Sequence, residues 1–293
     1  MQGFIKCVFL VAVFLAACPY SMANEPDAGK PTTINIAMLH LELKYADLDH
    51  NAQLIERGIE LAAQHGADWV MTPELALTGY RFDLKIGTEW IILGPDQYVQ
   101  QMQRLAKKHQ LTIFLSHLEG VNSEPNSVEV NKVFNTLFVI DRSGQIIGRH
   151  RKINTIPIAE SWSTAGTEAT IIEVDQQQVG LLICADAWPA AHAKRLKHQG
   201  ANMILSSASW APGEYGPGDT WEKRSSETEL PLFVNNRTGL EREFDLTESV
   251  SAISYQGKRL LSHQSSNSQV VLISWNSRDN ILRNYSKHTL NSN

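Results

Sequence analysis

From residue 33 onward, the chain alternates between two patterns of hydrophobic and polar positions. Short apolar runs that end at Gly, Pro or polar turn residues predict strands, and apolar residues spaced three or four positions apart predict helices. Asp49–His65 has the helical spacing, with Ile55, Ile59 and Ala62 on one face and Gly66 after the last turn. Three more segments are predicted as helices: Asp96–His109, Pro189–Gln199 and Thr220–Glu229.

Predicted strands fill the intervals between these helices. Asp141–Gly144 has the composition of a tight turn and joins two of the strands as a hairpin. Hairpins mixed with crossover helices predict an α/β layered sandwich. The predicted strands are Ile34–Leu39, Trp69–Thr72, Leu111–Ser116, Phe134–Ile140, Gln145–Arg149, Ile171–Val174, Val179–Ile183, Met203–Ser206, Leu232–Val234, Val250–Ser254 and Val270–Ile273.

The pattern also predicts how the chain divides. No linker rich in Pro, Gly or Ser interrupts residues 33–275, so we expect a single domain there. Residues 24–32 contain two prolines and a glycine and are predicted to form a flexible tether. Residues 276–293 are polar, and we expect an extended tail or one that is exchanged between subunits.

The first 23 residues have the pattern of an export signal. Their apolar run, Val8–Ala17, is too short to span a bilayer as a helix. Leu15–Cys18 resembles a bacterial lipobox, which would make Cys18 a lipidated N-terminus and anchor the protein to a membrane. Ser21–Ala23 instead fits cleavage by ordinary signal peptidase. Both cleavage routes remain open. In either case we expect an exported protein, which is periplasmic or anchored to a membrane as a lipoprotein, or is otherwise secreted.

Charge and composition narrow the range of partners. The formal net charge is -5, and the chain has no basic run, so neither nucleic acid nor an anionic membrane surface is an expected partner. The ten histidines are scattered, and no metal-ligand spacing is present. We therefore expect a small-molecule substrate and no metal or other cofactor.

Cysteine usage directs attention to one thiol. Two of the three cysteines, Cys7 and Cys18, lie in the export segment, which leaves Cys184 without a disulfide partner. Cys184 lies where the apolar run Val179–Ile183 turns toward the next helix. A nearby helix N-terminus would favour a thiolate, and the amide N–H of Ala185 could bind an oxyanion. A small buried core residue fits the same position equally well.

Two charged residues follow predicted buried strands. Trp69–Thr72 runs into Pro73-Glu74, and a carboxylate so close to a buried strand needs a partner. Glu74 could be a general base, a salt-bridge partner or a helix cap. Lys152 ends the basic triplet that follows the hairpin, and it could stabilise developing negative charge or be an ordinary surface lysine.

Several short motifs surround these three residues. Each motif alone is unspecific, whereas their order and spacing along residues 33–275 resemble the nitrilase superfamily of carbon–nitrogen hydrolases. The motifs are Pro73-Glu74, Thr78-Gly79-Tyr80, His150-Arg151-Lys152, Ile183-Cys184-x-Asp186 with Pro189, Gly200-Ala201 leading to Ser206–Trp210, and Asn236-Arg237-Thr238-Gly239.

The resemblance implies a fold and a catalytic set. The fold is a four-layer α-β-β-α sandwich that pairs into at least a homodimer. Cys184 is implied as the nucleophile and Glu74 as the general base and acid, while Lys152 and the Ala185 N–H stabilise the tetrahedral intermediate. Glu160, eight residues after Lys152, is similar to a second glutamate of aliphatic amidases. Glu160 could instead be an ordinary loop carboxylate, and Glu168 is a second candidate for the same role.

The resemblance also bears on the substrate. Nitrilases often carry Trp-Glu after the cysteine, whereas Ala185-Asp186 is more similar to amidases and carbamoylases. Pro189-Ala190 departs from the usual Pro-Glu, which concerns local packing more than chemistry. Tyr80, Trp162 and Trp210 are candidate pocket residues, as is Trp188, although Trp188 and Trp210 could equally fill the core. Arg237 could hold a substrate carboxylate or form an internal ion pair.

These observations favour an exported amidase that acts on a small linear amide and releases ammonia or an amine. Nitrile hydrolysis or N-acyl transfer by the same residues is the first alternative. The second is a non-catalytic relative that serves as a binding module. Joint retention of Glu74, Lys152, Glu160 and Cys184 argues against the second alternative, because a binding module has no need of that set.

Overall fold

The computed structural model describes residues 33–124 and 129–290. The expected export signal with Cys18 and the expected tether lie outside the described residues. The helices are α1 Leu48–Gln64, α2 Asp83–Ile86, α3 Gln97–His109, α4 Ala190–His198 and α5 Thr220–Thr228. The strands are β1 Thr33–His40, β2 Trp69–Met71, β3 Thr112–Val121, β4 Lys132–Ile140, β5 Ile146–Arg151, β6 Thr170–Val174, β7 Gln177–Ile183, β8 Met203–Ser207, β9 Leu232–Asn235, β10 Leu240–Glu241, β11 Phe244–Asp245, β12 Ser251–Tyr255, β13 Lys258–His263, β14 Gln269–Asn276 and β15 Ile281–Thr289.

Two mixed sheets contain nearly all of these strands. The first has the order β15-β14-β1-β2-β3-β4-β5, and the second has the order β13-β12-β9-β8-β7-β6. The strands β1, β2 and β3 run parallel to one another, as do β7, β8 and β9, whereas hairpin partners such as β4 and β5 are antiparallel. The predicted hairpin at Asp141–Gly144 is confirmed. It delivers the chain to Lys152 at the end of β5.

The two sheets face each other across a shared apolar core. Ile36, Met38 and Phe114 of the first sheet and Leu181 and Phe233 of the second belong to one buried cluster. The strands are therefore buried on both faces, which explains their continuous apolar runs. The described part of the chain has no helix with the length and apolar character needed to cross a bilayer.

Helices cover the outer face of each sheet. The apolar faces of α1 and α3, including Ile55, Ile59 and Met102, pack with Leu39 and Ile113 in a second cluster on the first sheet. Asp47 and Asp96 cap these two helices by accepting hydrogen bonds from backbone N–H groups of their first turns. The helices α4 and α5 lie against the second sheet. The predicted four-layer α-β-β-α sandwich is confirmed.

Four strands were missed by the hydrophobic pattern: the two-residue strands β10 and β11, and the longer edge strands β13 and β15. In β15, Ile281–Thr289, nearly every side chain is exposed, and in β13, Lys258–His263, four of six are exposed. Edge strands with so few buried positions produce no clear apolar run. The strand β15 pairs antiparallel with β14 of the same chain. The tail expected from residue 276 is therefore extended up to Thr289 but belongs to the sheet, which continues past the boundary expected at residue 275.

Candidate active site

Cys184 lies at a sharp turn between β7 and α4. Its backbone φ is +47°, and it opens the 3-10 turn Cys184–Ala187. A residue other than glycine is strained in this left-handed conformation, and such strain is common at functional sites. The side chain is 5% exposed and lines a cavity. The turn thus places the thiol at the surface of a cavity in an otherwise buried region.

Glu74 follows β2 on the first sheet and is joined to the loop after β8 on the second. Its N–H donates to the carbonyl of Ala208 at 3.2 Å. In return, the Ser209 N–H donates to Oε2 of Glu74 at 3.0 Å, and the Ser209 hydroxyl donates to the Glu74 carbonyl at 3.0 Å. Three atoms of Glu74 and two residues of the loop after β8 therefore fix the carboxylate between the sheets.

Lys152 directly follows β5 and is held between two carboxylates. Its Nζ donates to Oε1 of Glu74 and to Oε2 of Glu160, each at 2.7 Å, and all three side chains are fully buried. Such a group costs several kcal/mol of desolvation per ion, so it is not retained for stability alone. The sequence-predicted Glu74, Lys152 and Glu160 are brought into direct contact.

Asn135, in the middle of β4, connects the same two carboxylates. Its Nδ2 donates to Oε1 of Glu74 and to Oε1 of Glu160, each at 2.8 Å. The Ile156 N–H donates to Oε2 of Glu160 at 2.8 Å. Sequence reasoning missed Asn135, although one signal was present, because an asparagine interrupts the apolar run Phe134–Ile140.

Asp186 joins the nucleophile turn to the segment after Lys152. One oxygen accepts from the N–H groups of Ile153 and Asn154, at 2.9 and 2.7 Å. The other accepts from the Ile183 N–H and from Nε2 of His150, each at 3.0 Å. Burial favours a higher pKa for this carboxyl, but the hydrogen bonds and charge of its partners, His150 foremost, lower the pKa below the ordinary value.

The electrostatics of the site follow from burying one cation with two carboxylates. Burial, together with the charge of Glu160, raises the pKa of Glu74, and Lys152 and Asn135 only partly oppose this. Burial alone would lower the pKa of Lys152, but Glu74 and Glu160 outweigh it and hold that pKa well above the ordinary value. Lys152 is therefore a permanent cation, and Glu74 is a stronger base than an exposed carboxylate.

The thiol of Cys184 contradicts one sequence expectation. Burial and then the negative charge of Glu74 raise its pKa well above the ordinary value, and the opposing effect of Lys152 is smaller. The nearby helix N-terminus was expected to lower this pKa and favour a thiolate. Burial and the nearby carboxylate charge raise the pKa by more than the turn can lower it. The raised pKa favours a neutral resting thiol, which becomes a nucleophile only after a base removes its proton.

A cavity of about 520 Å³ opens above Cys184. Of the predicted pocket residues, Tyr80 and Trp210 line it, and so does Trp188, which is 46% exposed. Trp162 does not line it, because its ring packs against Phe82 at a centroid distance of 4.9 Å. The remaining lining residues are Ile156, Ala159, Ala185, Ser209, Ala211, Pro212, Glu214, Tyr215, Gly216, Glu243, Phe244 and Asp245.

Two other predicted candidates lie away from the nucleophile. Arg237 is fully buried, forms an ion pair with Glu241 and donates to the Leu43 carbonyl at 3.0 Å. Of its two predicted roles, the structure therefore shows the internal ion pair. Glu168 is exposed beside Arg149 and takes no part in the contact of Glu160 with Lys152. Within residues 33–124 and 129–290, no three His, Cys, Asp or Glu side chains are grouped closely enough to hold a metal ion.

Comparison with known proteins identifies related sequences. A family model described as carbon-nitrogen hydrolase matches residues 35–260. The 2-oxoglutaramate amidase of Bacillus subtilis (strain 168) is 30% identical over 180 residues, which cover 60% of this chain and 64% of that relative, slightly less than two thirds of its length. An N-carbamoylputrescine amidase of Solanum tuberosum is 26% identical, with 67% of this chain and 68% of the relative covered.

Solved structures share the fold. An amidase of the nitrilase superfamily from Nesterenkonia AN1 superposes with a TM-score of 0.72 at 19% sequence identity, with 84% of this chain and 92% of that chain covered. A structure of an amidase from Nesterenkonia sp. gives the same TM-score at 18% identity, with 83% and 90% covered. At this identity, the superpositions establish a common architecture, and the roles of individual side chains rest on the contacts described above.

Proposed function

The chain belongs to the carbon-nitrogen hydrolase family, and we propose that it is an amidase, which cleaves a non-peptide C–N bond of a small linear amide through a thioester on Cys184. The observation that carries the proposal is the position of Lys152 between Glu74 and Glu160, 2.7 Å from each, beside a buried thiol that lines a cavity. Buried ionisable groups with strongly shifted pKa values are typical of catalytic sites.

The first half of the reaction forms the thioester. Glu74 accepts the thiol proton while the sulfur of Cys184 attacks the amide carbon, and the carbonyl oxygen becomes an oxyanion. An ammonium has three N–H donors, and Lys152 uses two of them on Glu74 and Glu160. The third is available for the oxyanion, together with the Ala185 N–H at the cavity wall. Collapse of the intermediate breaks the C–N bond as Glu74 returns its proton to the departing nitrogen.

The second half releases the acid. Water attacks the thioester carbon while Glu74 takes one of its protons, and the carboxylic acid leaves as that proton returns to the sulfur of Cys184. Glu74 thus works as base and acid alternately. Its raised pKa suits both roles, because a general acid–base group is most effective when its pKa lies near the working pH. Asn135 and Glu160 keep Glu74 and Lys152 in place through these proton transfers.

The names of two relatives support an amide substrate. One is called a 2-oxoglutaramate amidase and the other an N-carbamoylputrescine amidase, and both names describe hydrolysis of a C–N bond next to a carbonyl group. Another relative, from Schizosaccharomyces pombe, is called a probable nitrilase, so the assay must include nitriles.

The decisive experiment is an assay of ammonia release from matched amides, carbamoyl compounds and nitriles. We expect turnover of amides, a covalent acyl adduct on Cys184 by mass spectrometry, and loss of both in Cys184→Ala with an unchanged unfolding midpoint. Turnover of nitriles alone would reject the amidase assignment. Products formed with added hydroxylamine and absent with water would identify an acyltransferase instead.

We propose in addition that the protein is exported, on the sequence pattern of its first 23 residues. Mass spectrometry of the N-terminal peptide from a bacterial expression host distinguishes the two routes of signal-peptide cleavage. A diacylglyceryl-modified Cys18 supports the lipoprotein route, and an unmodified N-terminus at Asn24 supports release. A cytoplasmic chain that still begins at residue 1 contradicts export.

We propose that the protein forms at least a homodimer, because the superfamily it resembles pairs through one face of the sandwich. Light scattering on the purified protein over a tenfold range of concentration measures the mass of the particle. A mass near twice that of one chain, or a higher multiple, supports the proposal, and a single chain at every concentration contradicts it.

A further inference from the structure

The outer wall of the cavity above Cys184 has a one-sided charge distribution. Three carboxylates line it, from Glu214, Glu243 and Asp245. Among the described residues that line the cavity, none is Lys, Arg or His. The ammonium of Lys152 lies behind the wall, fully buried between its two glutamates.

Two of these carboxylates lack a cationic partner. Glu214 is exposed and makes neither a hydrogen bond nor an ion pair with any residue in the described part of the chain. Asp245 is exposed, and one of its oxygens accepts from the N–H and hydroxyl groups of Thr247, both neutral donors. Glu243 differs, since Arg81 donates to one oxygen at 2.7 Å and Arg242 to the other at 3.2 Å. The unbalanced negative charge therefore comes from Glu214 and Asp245.

The inner end of the same cavity carries an unused hydrogen-bonding group. Tyr80 is only 6% exposed and lines the cavity, yet its hydroxyl has no hydrogen-bond partner among the described residues. Its ring lies 5.6 Å from Nζ of Lys152, beside the catalytic set. Because Tyr80 lines the cavity, this hydroxyl can pair with a polar group of a ligand next to Cys184. The cavity thus has a polar inner end and an anionic outer end.

Aromatic rings line the wall between these two ends. Phe244 packs edge-on against Tyr80, and Trp188 lies next to Trp210, with Tyr215 exposed at the rim. Such walls accommodate a hydrocarbon chain, and aromatic faces also attract cations.

We infer that the cavity selects amides that carry a positive charge at the end remote from the reacting carbonyl, with Glu214 and Asp245 as the residues that set this preference. The inference rests on the proposed amidase function and adds a substrate class to it. A substrate with a carboxylate at that end would be repelled by Glu214 and Asp245. No cation among the described residues of the cavity wall would offset this repulsion. Clefts lined by one sign of charge raise the local concentration of oppositely charged ligands by about tenfold or more.

The first test compares three amides with the same four-methylene chain that end in an ammonium, a methyl or a carboxylate group. We expect kcat/KM to be on the order of tenfold higher for the ammonium than for the methyl amide, and lowest for the carboxylate. Glu214→Gln should reduce this ratio without affecting folding, because its side chain has no partner to lose. In the double variant that also carries Asp245→Asn, the kcat/KM values for the ammonium and methyl amides should lie within about twofold of each other.

Glu248→Gln is the matched control, since Glu248 is an exposed carboxylate close to Asp245 that does not line the cavity. It should retain the full ratio. A wild-type enzyme that prefers the carboxylate amide, or a double variant that keeps the ammonium preference, overturns the inference while leaving the amidase function intact.

A second test does not require turnover. Methanethiosulfonates that end in a trimethylammonium, a methyl or a sulfonate group form a disulfide with Cys184 and release methanesulfinate. Rates on the full chain, assigned to Cys184 by peptide mass spectrometry and divided by rates with a free small thiol, report the charge in the cavity. We expect the cationic reagent to be fastest and its advantage to shrink in the double variant.

The two tests separate the two proposals. A cationic labelling advantage that depends on Glu214 and Asp245, without hydrolysis of any amide, supports the charge preference and rejects the amidase function. Hydrolysis of all three amides at equal rates, with equal labelling by the three reagents, supports the function and rejects the charge preference.

Discussion

His150 and Asp186 form a fully buried pair, with 3.0 Å between Nε2 of the imidazole and Oδ2 of the carboxylate. His150 precedes Lys152 by two residues, and Asp186 follows Cys184 by two. One contact therefore connects the end of β5, which positions the ammonium, to the turn that positions the thiol. Asp186 also accepts from the backbone at Ile153, so it helps to position both the Cys184 thiol and the Lys152 ammonium.

Replacing Asp186 by Asn should loosen this connection. We expect Asp186→Asn to lower kcat by as much as about a hundredfold, because small displacements of reacting groups are costly. The free energy of unfolding should fall by roughly 2–4 kcal/mol, as for loss of a buried charged partner. Activity assays and urea denaturation measure the two effects.

The pH dependence of this stability effect has a definite sign. The pKa of Asp186 is lower in the folded protein than the ordinary value of 3.8. Its stabilisation is therefore complete above that value and is lost as pH falls through the folded pKa. Wild type and Asp186→Asn should differ most near neutral pH and converge under acid conditions. Asp219→Asn, an exposed aspartate with a lowered pKa, is the control and should leave both kcat and stability nearly unchanged. A constant difference in stability at every pH contradicts the assignment.

Asn135 offers a sharper test of the proposed roles of Glu74 and Glu160. Its hydrogen bond to Glu74 lowers the pKa of that carboxyl, so Asn135→Ala should raise it further. The ionised base then forms only at higher pH. The acidic limb of the kcat/KM profile, where the rate rises with pH, should therefore shift to higher pH. We also expect a loss in kcat of about ten- to a hundredfold, because Glu74 and Glu160 lose their common donor.

A pH profile separates this role from a merely structural one. A packing defect would reduce the rate equally at every pH, without moving the limb. Asn131→Ala, an exposed asparagine just before the same strand, is the matched control and should leave the profile in place. An unshifted limb in Asn135→Ala would show that Asn135 does not tune Glu74.

Lys152→Met removes the cation between two buried carboxylates. Glu74 and Glu160 then lack their counter-charge, and we expect a loss in unfolding free energy of about 3–5 kcal/mol near neutral pH, together with loss of activity. In the variant, the folded pKa of Glu74 rises further above its unfolded value of 4.5. The contribution of Glu74 to stability is then greatest below pH 4.5 and is lost as pH increases through the folded pKa.

The stability deficit of Lys152→Met should therefore grow with pH, as measured by denaturation across the acid-to-neutral range. Lys223→Met on α5 removes an exposed lysine that pairs with Asp219 and should show no such trend. A deficit that is the same at all pH values would indicate lost packing in place of lost charge.

The sequence was most informative where buried strands end in reactive side chains. Cys184 directly follows the apolar run of β7, Glu74 comes just after the run of β2, and Lys152 directly follows β5. The strands β2 and β5 belong to one sheet and β7 to the other, so the packing of the two sheets brings these ends together. Their environments could not be predicted from these runs. The raised pKa of Cys184 depends on burial and on Glu74, which comes from the other sheet, so no local pattern around the cysteine contains it.

Other errors have equally physical causes. Trp162 lies close in sequence to Glu160, but its ring turns toward Phe82, because proximity along a loop does not fix side-chain direction. The edge strand β15 was missed because its polar residues face solvent, and only pairing with β14 reveals it. Ser209 contacts Glu74 through its backbone N–H, a group that every residue other than proline carries and that therefore leaves no sequence signal.

A pair of histidines away from the active site leads to the last prediction. His40 at the end of β1 and His263 at the end of β13 are both buried, with their rings edge-to-face at 4.9 Å between centroids. In the described part of the chain, Nε2 of His40 and both nitrogens of His263 have no hydrogen-bond partner. Burial, and then the charge of the other histidine, lowers the pKa of His40 to about 3, and burial with the charge of Lys287 lowers that of His263 to about 4.

These values make folding sensitive to mild acid. The unfolded chain protonates each histidine near pH 6.5, whereas the folded protein does not until about pH 4 or below. Stability should therefore fall as pH drops below 6.5, by up to about 1.4 kcal/mol per pH unit for each histidine. His263→Gln removes one titrating group, so its stability should fall less steeply over this range, whatever its absolute stability. His198→Gln, at an exposed position on α4, should keep the wild-type slope. Equal slopes in wild type and His263→Gln, measured by urea denaturation between neutral and mildly acidic pH, would mean that this pair does not govern the acid response.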